Sequence, residues 1–216
     1  MITVVIPCKN ENYGLVKTIN TIPKNIPIIV ADSSTDNTLE LLPNSIKITS
    51  GGLSAVARNN GAKLVTTPYV LFLDADMDIS NIPLNKIIND VIANDYYLVT
   101  TKILVNSRNK IFYKLFYFIQ KIISLYTPFA VGGFMLFKTE KFNELGGFNI
   151  NDVFAEDYHL SMKIKPKKFK IYNHPAFTSD RRIKRKGLIY MMRLMWKCFL
   201  NRNNDAFYTK DYNYWK

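Results

Sequence analysis

Chemically versatile residues are sparse in this 216-residue chain, which holds two cysteines, two histidines and two tryptophans. Cys8 and Cys198 form no metal motif and suggest no disulfide framework, which fits a reducing, cytoplasmic setting. No apolar run reaches the roughly 18 residues of a membrane-spanning helix. The opening apolar run ends at Pro7, with Lys9 and Glu11 close behind, and does not read as a signal peptide. Acidic residues are scarce in one region only. Residues 1–162 hold 14 Lys/Arg and 14 Asp/Glu, whereas residues 163–216 hold 15 Lys/Arg against Asp180, Asp205 and Asp211. The net charge of +12 therefore lies in the last quarter. That asymmetry suits either a solvated basic tail or a polyanionic partner such as a phosphate-bearing substrate, an anionic membrane or nucleic acid. With 48% hydrophobic residues the chain is long enough for one sizeable core, and one domain is the expectation.

What is present is an alternation. Short β-branched or apolar runs at 3–7, 26–31, 46–49, 69–73 and 96–105 read as strands. Between them, 13–22, 38–42, 53–65 and 83–95 carry helical spacing. "VGGFMLFKTEKF" (131–142) reads as a glycine turn entering a strand, and "AEDYHLSMKI" as a helix start. Strands alternating with helices predict an α/β fold around a mostly parallel sheet. In such sheets ligands bind beyond the carboxyl ends of the strands. Those ends are "PCKNE", "DSSTDNT" and "DADMD", all polar or acidic.

The last of these is the sharpest local signal. Asp74 and Asp76, two residues apart, can turn hard oxygens toward one Mg²⁺ or Mn²⁺ whose other ligands come from a diphosphate. A solvated acidic turn has the same letters. Asp78 lies one step further on and is expected to face solvent.

In order, the chain carries "IPCKNE" (6–11), "ADSSTDNT" (31–38), "ARNNG" (57–61), "FLDADMDISNIP" (72–83), "ELGGFN" (144–149) and "FAEDYHLSMKI" (154–164). Over residues 1 to about 165 this resembles the family 2 glycosyltransferases of the GT-A fold, a single Rossmann-like three-layer domain. The resemblance implies an inverting, metal-dependent transfer from a nucleoside-diphosphate sugar, of UDP or GDP type, to a saccharide or lipid-linked acceptor. It implies roles residue by residue. Asp32 would accept from the nucleotide base, although Ala31 replaces an acid often found beside it, which leaves the base open. Pro7 and Glu11 would line the nucleotide pocket. Arg58 would approach base or diphosphate. Asp76 would be the principal metal ligand, with Asp74 toward ribose or metal. Asp157 would be the general base, with Glu156 toward acceptor or backbone. Gly132 and Gly133 would let the backbone approach the donor sugar. Arg181 or Arg182 would close over the diphosphate from a returning basic loop, with His174 from the same loop a further metal candidate.

The resemblance divides the chain at 180. Residues 1–105 are the expected nucleotide half and 106–180 the acceptor half. Residues 181–216 form a basic amphipathic extension. Residues 110–125 and 186–200 are apolar nearly all round, with Lys110, Lys114 and Lys121 on one narrow stripe and Lys186, Arg193 and Lys197 on the other. Two arrangements suit them: packing as core, or lying in an anionic membrane interface on its cytoplasmic face. Three other readings fit the sequence less well. A sugar nucleotidyltransferase would carry a glycine- and basic-rich loop after the first strand, which "PCKNENYGL" lacks. A nucleic-acid-binding protein leaves the acidic motifs unexplained, so no nucleic acid is expected. A catalytically inactive scaffold would not need both Asp76 and Asp157.

Overall fold

The computed structural model describes residues 1–212, so the last four residues of the expected 181–216 extension lie outside the described residues. The strands are β1 (Ile2–Cys8), β2 (Ile28–Asp32), β3 (Lys47–Ser50), β4 (Tyr69–Leu73), β5 (Leu98–Leu104), β6 (Phe134–Lys138) and β7 (Phe169–Phe177). They form one seven-stranded sheet in the order β3-β2-β1-β4-β6-β5-β7. Only β6 runs antiparallel to its neighbours, so the expected mostly parallel α/β sheet is present. The central strands are apolar on both faces because helices cover both. β1 and β4 are buried almost throughout, and their side chains divide between two core clusters, one on each side of the sheet.

The helices are α1 (Tyr13–Asn20), α2 (Ser54–Ala62), α3 (Leu84–Asn94), α4 (Lys110–Ser124), α5 (Thr139–Glu144), α6 (Glu156–Ser161), α7 (Arg181–Lys186), α8 (Leu188–Leu200) and α9 (Asp205–Tyr208). The helix expected at 38–42 is a single 3-10 turn, Thr38–Leu41. β7 was not anticipated. Pro175 and the polar pair Asn173 and His174 interrupt its pattern, and its register against β5 jumps between Thr101 and Lys102 to absorb them.

Pro7 sits near the end of a central strand, where a missing N–H would ordinarily break a ladder. It is tolerated because the paired register of β1 with β4 ends at Val5 and Phe72, while β1 stays paired with β2 as far as Cys8 and Asp32. β1 and β4 therefore part company at their carboxyl ends. β1 leads to β2 on one side and has β4 on the other, so this gap is the switch point of the sheet, where a ligand crevice forms.

A division at residue 180 does not divide the core. Leu194 and Cys198 of α8 and Phe207 and Tyr208 of α9 share one buried cluster with Phe154 and with Tyr158 of α6. The Val153 N–H donates to the Tyr208 carbonyl at 2.9 Å. His159, also on α6, lies between Asp152 at 2.7 Å and Asp205 at 3.3 Å and stacks on Tyr208. Cluster formation reflects the alternation of α8, whose Leu194 and Cys198 point inward four residues apart.

The two greasy helices each pack one side inward and leave the other exposed. On α4, Ile111, Leu115, Phe118 and Ile122 face solvent in one stripe, while the helix's fully buried residue is Gln120. On α8, Ile189, Met192, Trp196 and Leu200 do the same. Among the described residues no helix is long and apolar enough to cross a membrane.

α2 approaches β1 through Gly61, where a Cβ would lie 2.3 Å from a Val5 methyl. Gly61→Ala is therefore expected to lower the Tm and the urea midpoint. Overpacking at about 1–3 kcal/mol exceeds the roughly 1 kcal/mol gained in helix propensity.

Candidate active site

Arg58 lies at the centre of the site. α2 carries it beneath the carboxyl ends of the strands, and its side chain is 3% exposed. A guanidinium so buried must be matched by anions. Its Nη2 donates to Asp74 Oδ1 at 2.7 Å, and its Nη1 donates to Glu156 Oε1 in a short contact. Its Cζ lies 5.4 Å from the centre of the Phe148 ring. Burial alone would lower its pKa, but Asp74, Glu156 and Asp157 outweigh it and the pKa rises. Both carboxylates hold the Arg58 guanidinium below the surface.

Asp157 stands beside this cation on α6. Gly132 N–H donates to Asp157 Oδ2 at 2.6 Å, and Tyr158 N–H donates to Asp157 Oδ1 at 2.8 Å. Burial, then the neighbouring Glu156 charge, pushes its pKa from 3.8 up to about 6, against the pull of Arg58 and the two N–H donors. The residue before α6, Ala155, adopts a left-handed conformation with φ 53°. That conformation costs an alanine about 1–2 kcal/mol, and the aromatic cluster around it holds the strained turn. The turn directs Glu156 to Arg58.

Gly132 has a defined reason to be glycine. A Cβ there would sit 2.5 Å from Arg58 Nη2 and 3.2 Å from Asp157 Oδ2. At Gly133 the near neighbour is Met77. At Gly132 the crowding by Arg58 alone requires the absence of a side chain.

At the mouth between β1 and β4, Glu11 and Asp76 face one cation of the chain itself. Arg181 Nη1 donates to Glu11 Oε2 at 2.7 Å, and Arg181 Nε lies 3.8 Å from Asp76 Oδ2. Ser179 Oγ donates to Asp76 Oδ2 at 2.5 Å. The sequence alone gave Arg181 no acidic partner; the tertiary fold brings it across from α7. Arg182 lies instead near Tyr113 of α4, where burial raises the phenol's pKa and the Arg182 charge opposes it.

Asp32 ends β2 opposite Cys8, where its carboxylate accepts from Ser34 N–H at 3.0 Å and from Ser34 Oγ at 2.7 Å. Asp78 closes a turn on Ser80 and bridges Phe177, apart from Asp74 and Asp76. His174 lies in the irregular stretch of β7 rather than in a loop, and its carbonyl accepts from Thr101 Oγ1. It is not gathered with Asp74 and Asp76, and no cluster of three or more His, Cys, Asp or Glu suited to a metal occurs among the described residues. The Ser179 and Ser34 contacts were missed in the sequence, where a lone serine carries no signal.

A mostly parallel sheet with a polar crevice at its switch point is a nucleotide-binding architecture. The family described as glycosyl transferase family 2 matches residues 3–146 of the 216, and the chain belongs to that family. The match stops short of Glu156, Asp157 and Arg181. No curated protein matches the sequence. Among solved structures, TarS of S. aureus superposes with a TM-score of 0.61 at 18% identity, covering 93% of this chain and 40% of that one. TarS 1–349 in complex with UDP-GlcNAc gives 0.57 at 20% identity, covering 83% and 56%. The mannosyltransferase PcManGT of Pyrobaculum calidifontis, in complex with GDP-Man and Mn²⁺, gives 0.62 at 22%, covering 91% and 64%. At these identities the likeness establishes the GT-A glycosyltransferase fold, and the chain spans 40% to 65% of the first such structures.

The raised pKa of Asp157 has a consequence for stability. Between 3.8 and about 6 the folded carboxyl keeps a proton that the unfolded chain releases. Its contribution is full at low pH and is lost as pH rises through about 6. The Tm difference between Asp157→Asn and the parent should therefore move in the variant's favour between about pH 4 and pH 7. A difference that is flat across that window would contradict the assignment.

Proposed function

We propose that the chain is an inverting, metal-dependent glycosyltransferase acting on a nucleoside-diphosphate sugar, with Asp157 as general base. The observation that supports this is the half-buried carboxyl of Asp157, fixed by two backbone N–H donors and raised to about 6. A base that titrates near neutrality suits proton removal from a hydroxyl. The acceptor oxygen attacks the anomeric carbon in line, Asp157 takes the hydroxyl proton, and the bond to the diphosphate breaks with its electron pair leaving on phosphate. In-line attack inverts the anomeric centre.

The donor set fits a divalent metal shared with substrate. Asp74 and Asp76 offer hard oxygens, Arg58 engages one oxygen of Asp74, and Ser179 one of Asp76. Mg²⁺ is characteristically held by one or two carboxylates plus substrate phosphates rather than by a complete protein cage. Asp76 and Asp74 would hold it, and when bound it supplies Lewis-acid neutralisation of the leaving diphosphate. Glu11, Pro7 and Asp32 would line the nucleotide side. Arg181 is engaged by Glu11 and would exchange that carboxylate for the diphosphate. The nucleotides named for the neighbouring structures, UDP-GlcNAc and GDP-Man, support a UDP or GDP donor.

The acceptor reading is a lipid-linked one, reached at an anionic membrane surface. The exposed stripes of α4 and α8 carry Lys114 and Lys121, and Arg193 and Lys197, along their flanks. Apolar side chains beside cations suit headgroups and acyl chains together. The two helices flank the helix that carries Asp157, through contacts of Phe116 with Phe129 and of Phe129 with Tyr158, and through the cluster of Tyr158 with Leu194.

Three measurements test this. A thermal-shift panel of UDP and GDP sugars should give stabilisation that requires Mn²⁺ or Mg²⁺ with one nucleotide class, and Asp76→Ala should abolish it. Turnover should rise with pH through about 6, and Asp157→Asn should lose at least about 100-fold in kcat while retaining donor binding. Full activity in that variant would overturn the base assignment. Co-sedimentation with liposomes should need anionic lipid and weaken with salt; no binding at low salt would sink the membrane reading.

A further inference from the structure

Arg58 Nε is buried without a hydrogen-bond partner, while both its Nη atoms are committed to carboxylates. Those carboxylates come from different parts of the chain. Asp74 closes β4, on the nucleotide side. Glu156 opens α6, one residue before Asp157. Phe148 lies over the guanidinium, Gly132 lies against it, and Arg58 as a whole is only 2% exposed. The same Gly132 fixes Asp157 through its N–H.

We infer that Arg58 is a positioning residue: its buried guanidinium ties Asp74 to Glu156 and so holds the donor and acceptor sides of the site at one spacing, without touching the donor. The inference rests on the glycosyltransferase reading for its effect on turnover, but the clamp itself is a property of the free protein. A planar guanidinium with a donor pointing at each of two carboxylates does this; a single ammonium cannot reproduce both directions. Removing it strands two carboxylates, one of them buried, and lets α6 move relative to β4.

The test compares Arg58→Gln, Arg58→Lys, Glu156→Gln and the double variant Arg58→Gln/Glu156→Gln. The readouts are the Tm of the free protein, the Kd for UDP and GDP with Mn²⁺, and turnover. Arg58→Gln should lower the Tm by roughly 10 °C, the loss expected from breaking a buried ion pair. Glu156→Gln in the same chain should restore about half of that, because one stranded charge is gone. At a temperature where the variant is folded, kcat should fall about 100-fold, as for an ångström-scale misplacement, while the nucleotide Kd changes less than about threefold. Arg58→Lys should be intermediate in both Tm and kcat. An unchanged Tm with a tenfold weaker Kd would mean that Arg58 contacts the donor, and the inference fails. It also fails if the double variant recovers nothing, or if folded Arg58→Gln keeps kcat within threefold. A parent that binds neither nucleotide would overturn the proposed function, and the Tm series would still decide the clamp.

Discussion

A guanidinium taken out of water costs several kcal/mol unless anions surround it. Arg58 is buried on α2, and that one requirement organises the site. It draws Asp74 from the end of β4 and Glu156 from the start of α6 to opposite ends of one planar group. It crowds Gly132, where a Cβ would lie 2.5 Å from Nη2, and its charge opposes the rise in the Asp157 pKa. Three segments that are distant in sequence converge because one cation cannot be left alone.

Around that centre the sheet supplies an opening. β1 and β4 separate at their carboxyl ends, so carboxylates from the two loops face each other across the gap. Glu11 and Asp76 meet there, and Arg181 answers both from α7. The two arginines divide the work by exposure. Arg58, at 3%, is enclosed with its partners, whereas the Arg181 pair lies at the surface, with Arg181 60% exposed.

α6 is six residues long and cannot be stable by itself. Its support comes from the residues after 188, which close the aromatic cluster of Phe154, Tyr158, Phe207 and Tyr208. The segment that supports α6 also exposes the apolar stripe of α8, so the surface facing outward and the helix carrying Asp157 are parts of one packed body.

Order and spacing in the sequence determined much of this. Runs such as "YVLFL" point to a buried strand because a short, β-branched and aromatic apolar run bounded by polar turns suits a sheet covered on both faces. The acidic loops that follow identify its ligand edge for the same reason. The six motifs in order determined the family. The sequence could not determine which charges meet, since pairing depends on the path of the chain between them. "ARNNG" and "AED" lie 98 positions apart, yet Arg58 and Glu156 touch. That Arg58 is buried is not legible either, because a cation looks the same in sequence whether it is exposed or buried. β7 was hidden because its proline and polar pair break the alternation, and only pairing with β5 makes it a strand. Whether the greasy helices face inward was likewise decided by tertiary structure. Their pattern is apolar all round, so only the positions of Gln120, Leu194 and Cys198 against their neighbours select the buried side.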